Sequence, residues 1–212
     1  YRPYYFVENG SYQGAAREML DAFAQKHGLS LTYEPLPVKR LYKQFLDGVL
    51  DIKFPDSPNW RPELKVGRDI TYSRPMMEYT DGVMVKPENL GKGTERLKVL
   101  GLVLGFTPWG YQEWIGDGRI RLDENASFSG MLEQAISGRV DGAYINPVVA
   151  RYQLDQVLGK PGALVFDPGL PYLKDYYRAS SLKHPDVIRL LDRFLADEAE
   201  LVNAIKKRRQ VD

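Results

Sequence analysis

Twice the chain runs Gly, any residue, an aliphatic residue, Asp, and then an apolar stretch ending at a polar residue beside Pro. The first copy is GVLDIKFPDSP from Gly48, and the second is GRVDGAYINP from Gly138. Both follow an amphipathic segment. Gly suits the left-handed position that ends a helix, and the apolar run after Asp reads as a buried strand. Asp51 and Asp141 then stand at helix–strand junctions, where a short carboxylate holds the joint by hydrogen bonds. Strands that alternate with helices in this way argue for α/β architecture with parallel pairings. Ligands in such sheets sit outside the carboxyl ends of the strands. The information therefore lies in the residues just past each strand: Pro55, Asp56 and Ser57 in one half, Asn146 in the other.

The rest of the chain alternates in the same way. Strands are expected over residues 4–7, 29–33, 51–54, 70–73 and 82–86, then over 99–104, 140–145, 163–166 and 176–180. Asn9-Gly10 reads as a turn pair. Ala15, Ala16, Met19, Leu20 and Phe23 recur at helical spacing up to His27-Gly28, a cation and then Gly at a helix end. Leu41, Tyr42, Phe45 and Leu46 mark a second helix, which stops at Gly48. Three prolines in PDSPNWRPE forbid a central strand there. Polar, Gly-containing 87–93 reads as a boundary between lobes. Helices follow over 111–115, 127–137 and 147–158, and from Pro185 through Leu195.

Composition narrows the chemistry. A chain of 212 residues fits one large domain or two lobes of roughly 100 residues each. The net charge of +1 gives no overall pull toward nucleic acid or an anionic membrane. Lys206, Lys207, Arg208 and Arg209 read as a solvated last helical turn. The cysteine count is zero, which removes disulfides, thiolate catalysis and Cys-based zinc sites. His27 and His184 read as structural, and no metal-ligand spacing exists. Gly91-Lys92-Gly93-Thr94 lacks the frame of a phosphate loop. No apolar run approaches the ~18 residues of a membrane span. The chain starts at Tyr1 without Met, so a processed or trimmed segment is expected.

What remains is aromatic and cationic. Tyr1, Tyr4, Tyr5 and Phe6 cluster at the start, Trp60-Arg61 lies in the proline loop, and Phe106 and Trp109 lie in a glycine loop. Aromatic walls with a few placed polar groups make a small-molecule pocket, although Tyr4, Phe6 and Trp109 read equally well as core. Arg61 can grip a carboxylate with paired hydrogen bonds or be a solvated surface residue. Arg40 poses the same alternative.

The ordered set PYYF, YQGAAREMLDAFAQKHGL, YEPLPVKRLYKQFLDGVLD and ITYSRPMMEYTDGVMV resembles the first lobe of periplasmic solute-binding proteins of family 3, the polar amino-acid receptors of ABC importers. LKVLGLVLGFTPWGY and SFSGMLEQAISGRVDGAYINP are similar to their second lobe. The resemblance spans nearly the whole chain. It implies a type II periplasmic-binding fold: two α/β lobes, each a mixed sheet flanked by helices, joined by two crossover segments with the ligand in the cleft. Lobe 1 would be 1–86 with 175–212, and lobe 2 would be 87–174. It also implies an extracytoplasmic monomer with its signal peptide removed and no cofactor. Its partners would be a small solute and an ABC permease or a sensor domain, and neither nucleic acid nor a membrane span is implied.

The same resemblance assigns roles. Tyr1 would stack on the ligand and Arg61 would hold its carboxylate, with Lys65 as the alternative anchor. Asp56, Ser57 and Trp60 would line that wall, and Gly105, Phe106 and Thr107 would approach from lobe 2. Asn146 stands where the amino-acid receptors carry an Asp for the ligand ammonium. Asn keeps a carbonyl acceptor but loses the charge, which puts an ordinary α-amino acid in doubt unless Asp56 or Glu78 compensates. The buried strand that the family has before the aromatic stretch is missing, so more sequence upstream is expected. Two other readings stand beside the importer receptor. One is the sensing ectodomain of a membrane signalling protein. The other is a dehydratase-like enzyme in which Asp56 or Glu78 would serve as general acid.

Overall fold

The structure is a computed structural model that describes residues 1–211. The backbone divides into two compact units, Tyr1–Tyr79 with Tyr176–Asp212, and Thr80–Asp175. The first unit opens with a hairpin, β1 (Phe6–Glu8) and β2 (Ser11–Gln13), which pair antiparallel around Asn9 and Gly10, both at positive φ. Helix α1 (Ala15–His27) follows, and α2 (Val38–Leu46) ends in the turn at Gly48. Ala15, Ala16, Met19, Leu20 and Phe23 form the buried stripe of α1, and Gly28 closes it in the left-handed conformation. Gly14 allows α1 to start where it does. Its φ is 111°, and a Cβ there would lie 2.6 Å from the Tyr4 carbonyl oxygen. The close approach lets Ala15 N and Ala16 N donate to the carbonyls of Pro3 and Tyr4, so first-turn N–H groups of the helix find partners.

Strand β3 (Lys53–Asp56) precedes a one-turn helix α3 (Pro62–Lys65) and the short strand β4 (Thr71–Tyr72). β5 (Met77–Val85) begins in the first unit and ends in the second. There, β6 (Val99–Val103), α4 (Gln112–Gly116), β7 (Arg121–Asn125), α5 (Phe128–Ser137), β8 (Gly142–Ile145), α6 (Pro147–Tyr152) and β9 (Val165–Phe166) follow. β10 (Leu173–Ser181) crosses back, and α7 (Pro185–Asp197) and α8 (Ala199–Arg209) complete the first unit. Within the first unit, β3 and β4 pair antiparallel with β10. Within the second, β6 lies between β7 and β8, parallel to both, and β8 pairs antiparallel with β5. The second core gathers Val83, Leu100, Leu102, Tyr111 and Tyr144, with Trp109 packed against it.

Four local expectations change. Residues 29–33 form no strand, because an alternating pattern makes one only where a neighbour supplies a ladder, and none among the described residues does. The charged segment RLDEN becomes β7, held by five register pairs with β6 from Val99↔Arg121 to Val103↔Asn125; its polarity hid it. β3 runs on through Pro55, which is tolerated because β10 is its one partner among the described residues. The basic C-terminal run is not wholly solvated, since Arg208 and Arg209 both bind the Glu18 carboxylate on α1.

Candidate functional site

The carboxyl end of β3 is the most charged point in the interior. Asp56 is 0 % exposed, Lys53 is 1 % and the Lys65 side chain is 8 %. Asp56 Oδ1 accepts from Lys53 Nζ at 2.8 Å, from Lys65 Nζ at 2.9 Å and from Ser57 N at 2.9 Å. Its Oδ2 accepts from Ser180 Oγ on β10 at 2.6 Å. Each ammonium has a second acceptor: Pro55 O at 3.1 Å for Lys53, and Ser57 O at 2.6 Å for Lys65. Burial lowers the Lys53 pKa to about 8, and Lys65 adds to the shift while Asp56 opposes it. The Tyr42 and Tyr72 phenols are pushed up, first by burial and then by the Asp56 charge. Buried charges persist only where paired and hydrogen-bonded, and this cluster meets that condition around one carboxylate.

An aromatic wall stands over the cluster. Lys53 Nζ lies 4.2 Å from the Tyr42 ring centre and 5.8 Å from that of Trp60, within cation–π range. Trp60 Nε1 donates to Tyr79 Oη at 2.9 Å, and Tyr79 stacks on Tyr177 at 4.3 Å and 11°. Tyr4, Tyr5, Phe54 and Trp60 all meet Tyr177 edge-on at 5.3–6.3 Å. Tyr1 stacks on Tyr5 at 5.5 Å. Tyr79, Tyr177 and Tyr4 are buried, whereas Tyr1, Tyr5, Phe54 and Trp60 are half-buried. The first unit thus has rigid aromatic backing beneath a layer of partly open rings.

In the second unit, the carboxyl ends of parallel β6, β7 and β8 lie along one sheet edge. Gly105, at φ 92°, turns the chain out of β6. Half-buried Phe106 meets Phe128, at the start of α5, edge-on at 5.7 Å. Thr107 O accepts from Trp109 N, which begins the turn toward α4. Asn146 is buried after β8, and its Oδ1 accepts from Val148 N at 2.8 Å and Val149 N at 3.2 Å. It is the N-cap of α6. Asp141, at the opposite edge, holds the start of β6 by accepting from Lys98 N and Val99 N. Asp51 is exposed and pairs with Lys183 and His184.

The structure brings Tyr1 and Trp60 into the aromatic wall, and places Asp56 and Ser57 directly beneath it. Lys65 is the cation locked into the buried cluster. Arg61 lies outside that cluster, in the left-handed conformation, with its guanidinium on Glu63. Arg40 is exposed on α2. The acceptor that Asn146 was expected to offer a ligand is engaged by α6 instead. Sequence reasoning missed Lys53, Tyr42, Tyr79 and Tyr177. Lys53 had a signal: a cation inside an otherwise apolar strand, three residues before an Asp, in IKFPD. The tyrosines had none, since aromatic residues in strands are ordinary core. Among the described residues no group of three acidic or histidine side chains could hold a metal ion, and no helix is long and apolar enough to cross a membrane.

No protein-family model matches the chain, and no curated protein matches it in sequence. Solved structures do match in fold. The arginine-, lysine-, histidine-binding protein ArtJ from Geobacillus stearothermophilus superposes with a TM-score of 0.76 at 16 % identity, over 99 % of this chain and 90 % of that one. The GluR0 ligand-binding core in complex with L-glutamate gives 0.77 at 14 %, over 98 % and 93 %. The ancestral amino acid-binding protein AncCDT-1, a precursor of cyclohexadienyl dehydratase, gives 0.74 at 18 %, over 99 % and 90 %. At such identities the likeness speaks for the fold. The chain has the type II periplasmic-binding fold, the fold implied by its resemblance to the family 3 solute-binding proteins.

Proposed function

We propose that this chain is an extracytoplasmic solute-binding protein that captures a small polar, carboxylate-bearing solute and delivers it to an ABC importer. The observation that carries the reading is the half-open aromatic wall of Tyr1, Tyr5, Phe54 and Trp60, set over a buried cluster with two ammonium groups to one carboxylate. Such a wall offers flat apolar contact, and the cationic excess beneath it favours an anionic ligand. Neighbours of the same fold that bind arginine, lysine, histidine or glutamate support a receptor for solutes of that size. No catalytic step is assigned. Asp56, the acid a dehydratase-like reading would use, has its carboxylate engaged by Lys53, Lys65, Ser57 and Ser180. The likeness to the GluR0 ligand-binding core supports a second reading, a sensing domain with the same binding chemistry and a different partner.

A thermal-shift screen over amino acids, hydroxy and keto acids, dicarboxylates, polyamines and sugars tests the proposal. A ligand present at 100 times its Kd stabilises by ~2.7 kcal/mol. A response to neutral sugars or polyamines alone would overturn the carboxylate reading. Calorimetry on Arg61→Ala then separates the anchors. Loss of a carboxylate–guanidinium contact lowers affinity at least about tenfold. Unchanged affinity removes Arg61 from the site and leaves Lys65 as the alternative anchor.

A further inference from the structure

The second unit holds a cavity that the proposed function does not use. It lies at the amino ends of β6 and β8, where Asp141 precedes β8 and holds the start of β6. Its volume is about 150 Å³, room for several waters or for a molecule of a few heavy atoms at ~30 Å³ per water. Val85, Leu97 and Leu170 give it apolar walls, and Asp141, Asp167 and Arg96 give it charge.

The two carboxylates are fastened by backbone alone. Asp167, 2 % exposed, accepts from Gly91 N at Oδ2 and from Gly169 N at Oδ1, both at 2.9 Å. Asp141 takes its bonds from Lys98 N and Val99 N at Oδ2. Its Oδ1 accepts from no group among the described residues, and each Asp167 oxygen keeps a second lone pair. No cation pairs with either carboxylate among the described residues. Arg96 lines the same cavity but is exposed and forms no ion pair among them. Carrying the Met84↔Ala143 register outward sets Lys86 opposite Asp141, yet Lys86 Nζ lies 3.3 Å from where a Cβ on Gly138 would stand. Lys98 is exposed. A carboxylate as buried as Asp167, met only by neutral N–H groups, is under-compensated, and a paired cation is the usual remedy.

We infer that this cavity is a second binding site, for a small aliphatic primary ammonium. The ammonium carries donors only, which the open carboxylate oxygens need, and a short alkyl body suits Val85, Leu97 and Leu170. A metal ion suits it less. Among the described residues no group of three acidic or histidine side chains could ligate one, and a bare ion would leave the apolar walls unfilled.

Thermal shift and calorimetry on the whole chain test this with n-propylammonium as the probe. 1-Propanol has the same body without the charge, tetramethylammonium has the charge without an N–H donor, and KCl controls for ionic strength. Propylammonium is expected to raise the melting temperature saturably, and the other three at equal concentration are not. Asp167→Asn should weaken propylammonium binding at least about tenfold, the worth of a charged hydrogen bond. Arg96→Ala changes an exposed side chain, so it folds, and it removes a like charge from the cavity, so binding should tighten severalfold. Amide chemical-shift changes on titration should centre on Gly91, Leu97 and Asp141. No saturable response to propylammonium, an equal response to tetramethylammonium or KCl, unchanged binding in D167N, no tightening in R96A, or shift changes centred elsewhere overturns the site. Should D167N fail to fold, R96A and the chemical shifts decide. A carboxylate receptor in the first unit stands or falls separately, on the solute screen.

Discussion

Replacing Asp56 with Asn tests whether the buried cluster is what holds β3, β10 and α3 together. Asn keeps the size of the side chain and an acceptor, but it removes the one negative charge facing two ammonium groups. Lys53 and Lys65 both lie within 2.9 Å of Asp56 Oδ1, with side chains 1 % and 8 % exposed. Removing one partner of a buried ion pair costs about 3–5 kcal/mol, because the remaining charge stays desolvated. For a chain of this length each kcal/mol moves the midpoint by roughly 2–4 °C, so D56N should melt about 6–20 °C below the wild-type protein. Thermal and urea unfolding followed by circular dichroism would measure it. Lys53→Met is the companion variant. It leaves one ammonium to one carboxylate, with Ser180 and Ser57 N still bonded to Asp56, and should cost less than half as much. The reasoning fails if D56N unfolds within about 1 kcal/mol of the wild-type protein, or if K53M is as costly as D56N.

The Lys53 pKa makes a related prediction. Its folded value of about 8 lies below the ordinary 10.5. Between these limits the unfolded chain holds a proton that the folded chain has released, so stability rises with pH there. Below pH 8 both states are protonated and the buried charge weighs fully on the fold. Unfolding free energies of wild-type protein and K53M, compared from pH 7 to pH 10, should therefore diverge in favour of the wild-type protein by up to a few kcal/mol; a constant difference contradicts the shift. Gly14→Ala should destabilise by more than ~1 kcal/mol in denaturant, since it combines a positive φ with a Cβ 2.6 Å from Tyr4 O. Asn146→Ala should cost ~1 kcal/mol through the lost α6 cap and Asn146→Asp very little, a difference that equal urea midpoints would disprove. Trp60→Ala should weaken binding of any ligand found in the screen and lower stability by about 2 kcal/mol, because it strips one face from Tyr177 and the hydrogen bond from Tyr79.

Much of the architecture was legible in the chain itself. The apolar spacing of α1, the Asn9-Gly10 turn, the helix-ending glycines and the strand periods are local properties, set by sterics and by which face of a segment is apolar. So was the divergence of the two Gly-x-aliphatic-Asp phrases, PDS after one strand and NP after the other. What local reasoning could not reach depended on neighbours far along the chain. RLDEN became a strand because β6 offered it a ladder, and residues 29–33 stayed outside one for want of a partner. Lys53 and Asp56 became a buried pair because Ser180, remote in sequence, completes the carboxylate's hydrogen bonds. Tyr177 became the centre of the aromatic wall because β10 pairs with β3 and carries it there. Asn146 shows the division within one residue. Its identity, amide in place of carboxylate, is written in the sequence. Which way that amide is turned was decided by the start of α6, because the N–H groups of a helix N-terminus donate and need an acceptor facing them.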